Sequence, residues 1–293
     1  MLCIIFSKDR ALQLDATLRS LREKCLDVDK LKVVVLYTTS RVEHKVTKSG
    51  MRVKDKIVSF YQTQYDTLMK AHPNVEFIHE TNFKTDLLRI IMRPMNSYVM
   101  FAVDDTIFIR EFSVKHIQAY LENNVEAIGF SLRLGANTTY CYMTNKKQTL
   151  PKFETVDLNV LKFNWVHEKH DFGYPFEISS SVYRIPEVLI PLQLKDYNTP
   201  NTLEASIHKS IDFFKFSLPM LLCYKNSVAF SNPLNLVQAK KTNRCSKNID
   251  TSIIHLSEKF KNGYMIDLSK YYNITTNAVH QEEPVVFIKR EMV

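Results

Sequence analysis

Two adjacent acids, Asp104 and Asp105, close the apolar run Tyr98–Val103 (YVMFAV) and precede a shorter apolar stretch, TIFI. Charges beside a core are costly unless a partner or a bound ion compensates them. A carboxylate pair at a strand end suits Mg²⁺ or Mn²⁺, hard cations that take oxygen ligands and keep positions open for substrate phosphates. Such a metal neutralises the charge that develops on a departing diphosphate. The loop Ser7-Lys8-Asp9-Arg10 follows the apolar run 2–6 and could add donors to the same anion. The alternative for the pair is a capping or salt-bridging role at a strand-to-loop junction.

These residues need elements that bring them together. The run 2–6 reads as a buried parallel strand, because it is apolar without alternation. Leu12, Leu14, Leu18 and Leu21 stand near helical spacing and predict a helix over 11–24. KVVVLY (32–37) is a second strand. Tyr61, Tyr65, Leu68 and Met69 mark a second helix, closed by His72-Pro73-Asn74. VEFIHE (75–80), the helix DLLRIIMR (86–93) before Pro94, and YVMFAV complete a β-α-β-α-β-α-β series. That series predicts a parallel sheet covered by helices, with ligands beyond the carboxyl ends of its strands. Three polar clusters would then converge on one edge: 7–10, TTSR (38–41) and Asp104-Asp105.

The second half mixes short strands (AIGFSLRL, SVYRI, PVVFIK) with helices (EASIHKSIDFFKF, TSIIHLSEKFK), which reads as α+β material over the sheet edge. No repeat or Gly/Ser linker divides the chain. It is expected to be one unit, 1–293, with the parallel-sheet half over 1–112 and the α+β half over 113–293.

The 293 residues are 45% hydrophobic and 24% charged, which predicts a packed core rather than disorder. Five scattered cysteines without a CxxC argue against a disulfide framework or zinc site and fit a reducing compartment. The N-terminus has no signal-peptide pattern, and no apolar stretch reaches the roughly 18 residues of a membrane span. A soluble, cytoplasmic protein is expected. The net charge of +8 favours anionic partners. Nucleic acid is not expected among them, for want of zinc-finger spacing, an RNP-like motif or a dense arginine run. Only five glycines occur, and no GxGxxG or GxxxxGK[ST] follows a strand, which disfavours a dinucleotide-binding dehydrogenase or a P-loop enzyme.

IIFSKDRALQLDATLRSL and, about ninety residues on, YVMFAVDDTIF resemble a nucleotide-sugar-dependent glycosyltransferase of the GT-A fold. FSLRLGANTTYCY (130–142), W…DFGYP (165–175), PNTLEA (200–205) and NAVHQE (277–282) are similar to one bacterial branch of that group. The resemblance covers nearly the whole chain. It implies an α/β, GT-A-like fold: a Rossmann-related, mostly parallel sheet flanked by helices, with an α+β acceptor-side half. It implies transfer of a sugar from a nucleotide diphosphate donor to an acceptor hydroxyl, with Mn²⁺ or Mg²⁺, in bacterial polysaccharide or lipooligosaccharide assembly. The donor would be a nucleotide sugar, UDP-linked by analogy, and the acceptor a glycan or glycolipid. The rivals are a sugar-1-phosphate nucleotidyltransferase, which needs a glycine-rich first loop that SKDR lacks, and a non-catalytic polyanion-binding protein.

The resemblance also implies roles. Asp105 would ligate the metal and Asp104 would touch ribose or metal, although Val103 stands where a D-x-D pattern has its first acid. Ser7, Lys8, Asp9 and Arg10 would line the nucleotide pocket. Asp86 would contact the base and Arg89 a phosphate; Asp86 equally suits a helix N-terminal acid. Glu204 would be the base that deprotonates the acceptor, or else the last member of a capping box begun by Asn201. Asp171, before a Gly-Tyr-Pro turn, is the rival base, and Glu177 a third. His280 would complete the metal site. Trp165 and Tyr174, near the same turn, would stack on a sugar, with core packing as the other explanation. The stretch 212–225 is apolar with basic punctuation. It suits a peripheral contact with a membrane, or a buried helix end leading into a strand.

Overall fold

The computed structural model describes residues 1–40, 53–94, 96–237, 244–246 and 249–290. Arg41, the end of the second polar cluster, lies outside them. The N-terminal series is β1 (Leu2–Lys8), α1 (Ala11–Lys24), β2 (Lys32–Thr38), α2 (Val53–Ala71), β3 (Glu76–His79), α3 (Phe83–Ile91) and β4 (Tyr98–Val103). There follow β5 (Thr106–Phe108), α4 (Val114–Asn123), β6 (Ala127–Ser131), β7 (Tyr140–Cys141), β8 (Lys146–Lys147), β9 (Glu154–Asp157), β10 (Val160–Asn164) and β11 (Ser181–Arg184). The chain continues through α5 (Ile185–Leu194), α6 (Pro200–His208), β12 (Met220–Tyr224), β13 (Ala229–Ser231), α7 (Ile253–Lys261), β14 (Tyr264–Ile266) and β15 (Phe287–Lys289).

The unbroken apolar runs are explained by burial on both faces of one sheet. In β1, Cys3 and Ile5 enter one core layer with Leu14 and Leu18 of α1. Leu2, Ile4 and Phe6 enter the opposite layer with Leu87 and Ile90 of α3. The alternation repeats in β2, where Val33 and Val35 face one way and Val34 and Leu36 the other, and in β4, where Met100 opposes Phe101. Leu2, Ile4 and Ile5 are fully buried, and each such side chain stabilises the fold by about 1.5–3 kcal/mol relative to exposure.

The large sheet has the order β3-β2-β1-β4-β11-β6-β12-β10-β9, and the architecture is α/β. Strands β3, β2, β1 and β4 run parallel. Beyond β4 the direction alternates: β11 is antiparallel to both β4 and β6, and β12 is parallel to β6. The parallel character therefore belongs to the N-terminal half, while the second half supplies mixed pairings.

Two helix boundaries that differ from expectation bear on the site. Helix α3 starts three residues before Asp86, because Asn82 caps it by accepting the Thr85 N–H at 3.0 Å. Helix α6 stops at His208 rather than running on to 216, and only a 3-10 turn, Ile211–Phe213, follows. The expected buried helix end is thus absent, and Phe213 and Phe216 are 76% and 97% exposed.

Candidate active site

A cleft of about 1110 Å³ opens where the four parallel strands end. Ser7, Lys8 and Arg10 reach it from β1, Thr38 and Thr39 from β2, Glu80 and Thr81 from β3, and Asp104 and Asp105 from β4. Parallel pairing places all four carboxyl ends on one edge, so the sequence clusters meet there. From the second half the same cleft is lined by Arg133, Asp171, Tyr174, Glu177, Glu204 and His280.

The two acids are not equivalent. Asp104 accepts the Lys8 backbone N–H at 3.1 Å on Oδ2 and Arg10 Nη1 at 2.9 Å on Oδ1. It ties the β1 loop to β4 and is 4% exposed. Asp105 is held less: Arg10 Nη1 lies 3.3 Å from its Oδ2, and the side chain is 15% exposed. Burial raises the Asp105 pKa to about 6; Arg10 opposes the rise and Asp104 adds to it. Arg10 in turn donates Nε to Asn235 Oδ1 at 2.8 Å and Nη2 to the Asn235 carbonyl, which anchors the first loop to the far end of the chain.

Other nucleotide-pocket expectations fall differently. Asp9 adopts φ 58, a conformation more accessible to Asp and Asn than to most residues, and turns away from the cleft. Its carboxylate accepts the Ser40 N–H at 2.8 Å and the Ser40 hydroxyl. Asp86 accepts the N–H groups of Thr81 and Asn82 at 2.8 and 2.9 Å and Arg89 Nη2 at 3.0 Å. Its carboxylate is engaged as a helix N-terminal acid, and neither Asp86 nor Arg89 lines the cleft; Thr81, which Asp86 braces, does. Ser7 Oγ is bonded to Tyr65 Oη at 2.7 Å.

On the opposite wall, the cap of α6 is not the expected box. Thr199 accepts the Thr202 N–H at 3.2 Å, and Thr202 Oγ1 accepts the Thr199 N–H at 2.9 Å. Asn201 and Glu204 are both inside the helix, so Glu204 is left to face the cleft. Its Oε1 accepts the Ile178 N–H at 3.3 Å. Burial and then the charge of Glu177 push its pKa up to about 7, against Arg133 and the Ile178 N–H. A carboxyl with that pKa is suited to accept a proton near neutrality.

The rival acids are more committed. Glu177 binds Arg133 Nη2 at 2.6 Å, accepts the Ser179 N–H at 2.5 Å and takes the Ser181 hydroxyl. Asp171 accepts Gln148 Nε2 at 3.1 Å and Cys141 Sγ at 3.4 Å, and burial raises its pKa.

Tyr174 lines the cleft and stacks on His208 with ring centroids 4.2 Å apart. Trp165 does not. It is 1% exposed, packs in the core layer that also holds Phe163 and Phe172, and donates Nε1–H to the Leu218 carbonyl at 2.8 Å. The sugar-stacking expectation for Trp165 is corrected: its large apolar surface is spent on the core.

His280 lines the cleft, and burial, then Arg133, lower its pKa to about 3, so the ring is neutral. Its Nε2 lies 3.4 Å from Arg133 Nη1. A guanidinium offers only donors, so Nε2 accepts and the ring proton sits on Nδ1. That nitrogen is buried without a partner among the described residues. An N–H cannot ligate a metal, so His280 as placed does not fit the expected third-ligand role. The Asp105 carboxylate can take a hard cation, and Asp104 could share it only through oxygens that also accept from Lys8 and Arg10. Among the described residues no three His, Cys, Asp or Glu side chains group to hold a metal alone. A cation here would complete its shell with diphosphate oxygens and water.

Arg133, Glu80, Thr81 and Asn235 also line the cleft, although no motif marks them. A lone arginine directly after the buried strand β6 was a usable signal for Arg133. Asn235 gives none, since its role comes only from tertiary contact with Arg10.

No family model matches the chain. Among solved structures it is similar to residues 1–349 of S. aureus TarS, with 11% identity and a TM-score of 0.43 over 78% of this chain and 58% of that one. It is similar also to the mannosyltransferase PcManGT from Pyrobaculum calidifontis, with 12% identity and a TM-score of 0.44 over 82% and 58%. The second structure holds GDP-Man and Mn²⁺. In sequence it is 30% identical over 200 residues, 63% of its length, to the bifunctional glycosyltransferase pgtA of Dictyostelium discoideum, of which it spans 24%. The chain therefore resembles, across most of its length, part of a glycosyltransferase.

Proposed function

We propose that the chain transfers a sugar from a nucleotide diphosphate donor to an acceptor hydroxyl. The observation that carries this reading is one cleft with two walls. One presents Lys8, Arg10, Asp104 and Asp105 at parallel strand ends, and the other presents Glu204 with a pKa of about 7. The acceptor hydroxyl loses its proton to a Glu204 carboxylate oxygen as its own oxygen forms the bond to the anomeric carbon. The bond from that carbon to the diphosphate oxygen breaks with the electron pair leaving on the nucleoside diphosphate. A base in this position implies inversion. Asp105 and Asp104 would hold Mn²⁺ or Mg²⁺, whose charge offsets that of the leaving diphosphate. A UDP-sugar donor and a glycan or glycolipid acceptor follow from the sequence resemblance, as does a place in bacterial polysaccharide or lipooligosaccharide assembly. The sequence relative above is eukaryotic.

Thermal-shift titration with UDP, GDP, CDP and ADP, each with Mn²⁺ and with EDTA, tests the reading. At 100 times Kd a ligand stabilises by about 2.7 kcal/mol. For a chain of this size that is a rise of about 4–5 °C. One diphosphate should give this rise with Mn²⁺ and a smaller one with EDTA. Equal, metal-independent shifts for all four and for inorganic phosphate would point to a polyanion binder instead.

No helix among the described residues is long and apolar enough to cross a membrane. Phe213 and Phe216 nonetheless project from the turn after α6, the helix that carries Glu204, with Lys209 and Lys215 beside them in sequence. We propose a peripheral contact there with an anionic bilayer, which would bring a lipid-linked acceptor to the base, at the cytoplasmic face of the inner membrane if the setting is bacterial. The double substitution Phe213→Ser/Phe216→Ser should lower affinity for phosphatidylglycerol vesicles by at least about tenfold. Unchanged co-sedimentation would remove the contact.

A further inference from the structure

Arg133 and His280 are buried side chains that touch each other and both line the cleft. The guanidinium is only partly used. Nη1 donates to Ser231 Oγ at 3.0 Å and faces His280 Nε2, and Nη2 donates to Glu177 Oε2 at 2.6 Å. Its Nε–H has no partner among the described residues. His280, with Nε2 turned to a pure donor, presents an equally unpartnered Nδ1–H. Buried donors without acceptors are rare in folded proteins and each needs an explanation.

We propose that Arg133 Nε–H and His280 Nδ1–H together form an oxyanion site for the diphosphate of the donor, with His280 serving as a hydrogen-bond donor and not as a metal ligand. The inference rests on the glycosyltransferase reading and deepens it. Two features locate the anion as diphosphate. The Ser231 hydroxyl that Arg133 binds also reaches the Asp105 carboxylate, so the two donors stand one side chain away from the acid that would hold the cation. Among the described residues Arg133 is ion-paired with Glu177, which also accepts the Ser179 N–H and the Ser181 hydroxyl. Asp105, Asp171 and Glu204 also feel its charge, so an anion here would be held by the two N–H groups and not by an unopposed cation. The arrangement places donors on the second-half wall, facing the Lys8 and Arg10 wall across one ligand.

The test compares UDP, uridine and pyrophosphate, by calorimetry with Mn²⁺ present. If another base is preferred in the thermal-shift screen, its diphosphate and nucleoside replace UDP and uridine. Arg133→Lys keeps the charge but loses Nε–H, and His280→Ala loses Nδ1–H. Each should weaken diphosphate and pyrophosphate binding about 10–100-fold while leaving uridine unchanged. His280→Asn, whose amide can place an N–H near the Nδ1 position, should recover part of the loss. Binding of Mn²⁺ alone, read by electron paramagnetic resonance, should be the same in wild type and His280→Ala. If Arg133→Lys does not fold, the double variant Arg133→Met/Glu177→Gln, which removes both charges of the pair, takes its place. Unchanged diphosphate affinity in the folded variants overturns the proposal, as does loss of Mn²⁺ binding in His280→Ala. A wild-type chain that binds no nucleoside diphosphate fails the glycosyltransferase reading itself and takes this site down with it.

Discussion

Glu204→Gln should lower kcat by about 10²–10⁴-fold, the usual contribution of a positioned base, while donor affinity stays within about twofold of wild type. The same residue sets a pH profile. With its pKa raised from 4.5 to about 7, the carboxylate that accepts the proton is the minor form below neutrality, so kcat rises with pH through about 7. The groups that face it bound the effect: Glu177 raises the pKa, Arg133 and the Ile178 N–H lower it, and Tyr174 stands close enough to feel its charge. Stability runs the opposite way. Because the folded-state pKa exceeds the unfolded one, the contribution is fully present below about 4.5 and is lost as pH rises through about 7. A rise from 4.5 to about 7 corresponds to about 3 kcal/mol. Glu204→Gln should therefore melt above wild type at pH 8 and converge with it near pH 4. A variant that keeps its turnover, or that melts alike at both values, would show that Glu204 is not the base.

Asp105→Ala and Asp104→Ala separate in a way that the adjacent letters do not suggest. Asp105→Ala should lose at least about 100-fold in Mn²⁺-dependent affinity for the nucleoside diphosphate while moving Tm by no more than a few degrees. Arg10 keeps Asp104 and Asn235 when Asp105 is removed. Asp104→Ala leaves the Lys8 N–H and a buried guanidinium without their main acceptor. Breaking a buried pair on one side costs about 3–5 kcal/mol. In a chain of this size that lowers Tm by roughly 5–8 °C. Calorimetric melting and metal-dependent titration of the two variants check this. Equal destabilisation would return both acids to a purely structural role.

Much of the frame was legible because burial on both faces leaves a plain mark. The runs 2–6, 32–37 and 98–103 are apolar without alternation, and each became a strand of the parallel half. Their order along the chain implied one edge for three polar clusters, and the cleft stands there. The fourth contributor, Glu80-Thr81, was missed although its strand was read over 75–80, because one acid and one threonine at a strand end make no cluster in the sequence. Side-chain direction was not legible at all. Asp9 and Arg10 are neighbours, yet one turns to Ser40 and the other to Asp104, and only the left-handed backbone at Asp9 explains the divergence. Trp165 and Tyr174 flank the same turn, and nothing in their letters shows that one indole is sealed among phenylalanines while one phenol reaches the cleft. Glu204 was ambiguous between cap and base until Thr199 and Thr202 formed the box. His280 was singled out by resemblance, but its tautomer depends on Arg133, 147 positions earlier.

The position of β11 carries a consequence for how this molecule can be cut. That strand, from residues 181–184, is wedged between β4 and β6 and zips the open side of β4 with antiparallel bonds. A fragment ending near residue 112 would leave β4 as a raw flank four to six residues long, its amides and carbonyls seeking another chain. Such a fragment should self-associate rather than serve as a portable nucleotide module. The two halves share one sheet, and separating them should cost both their order.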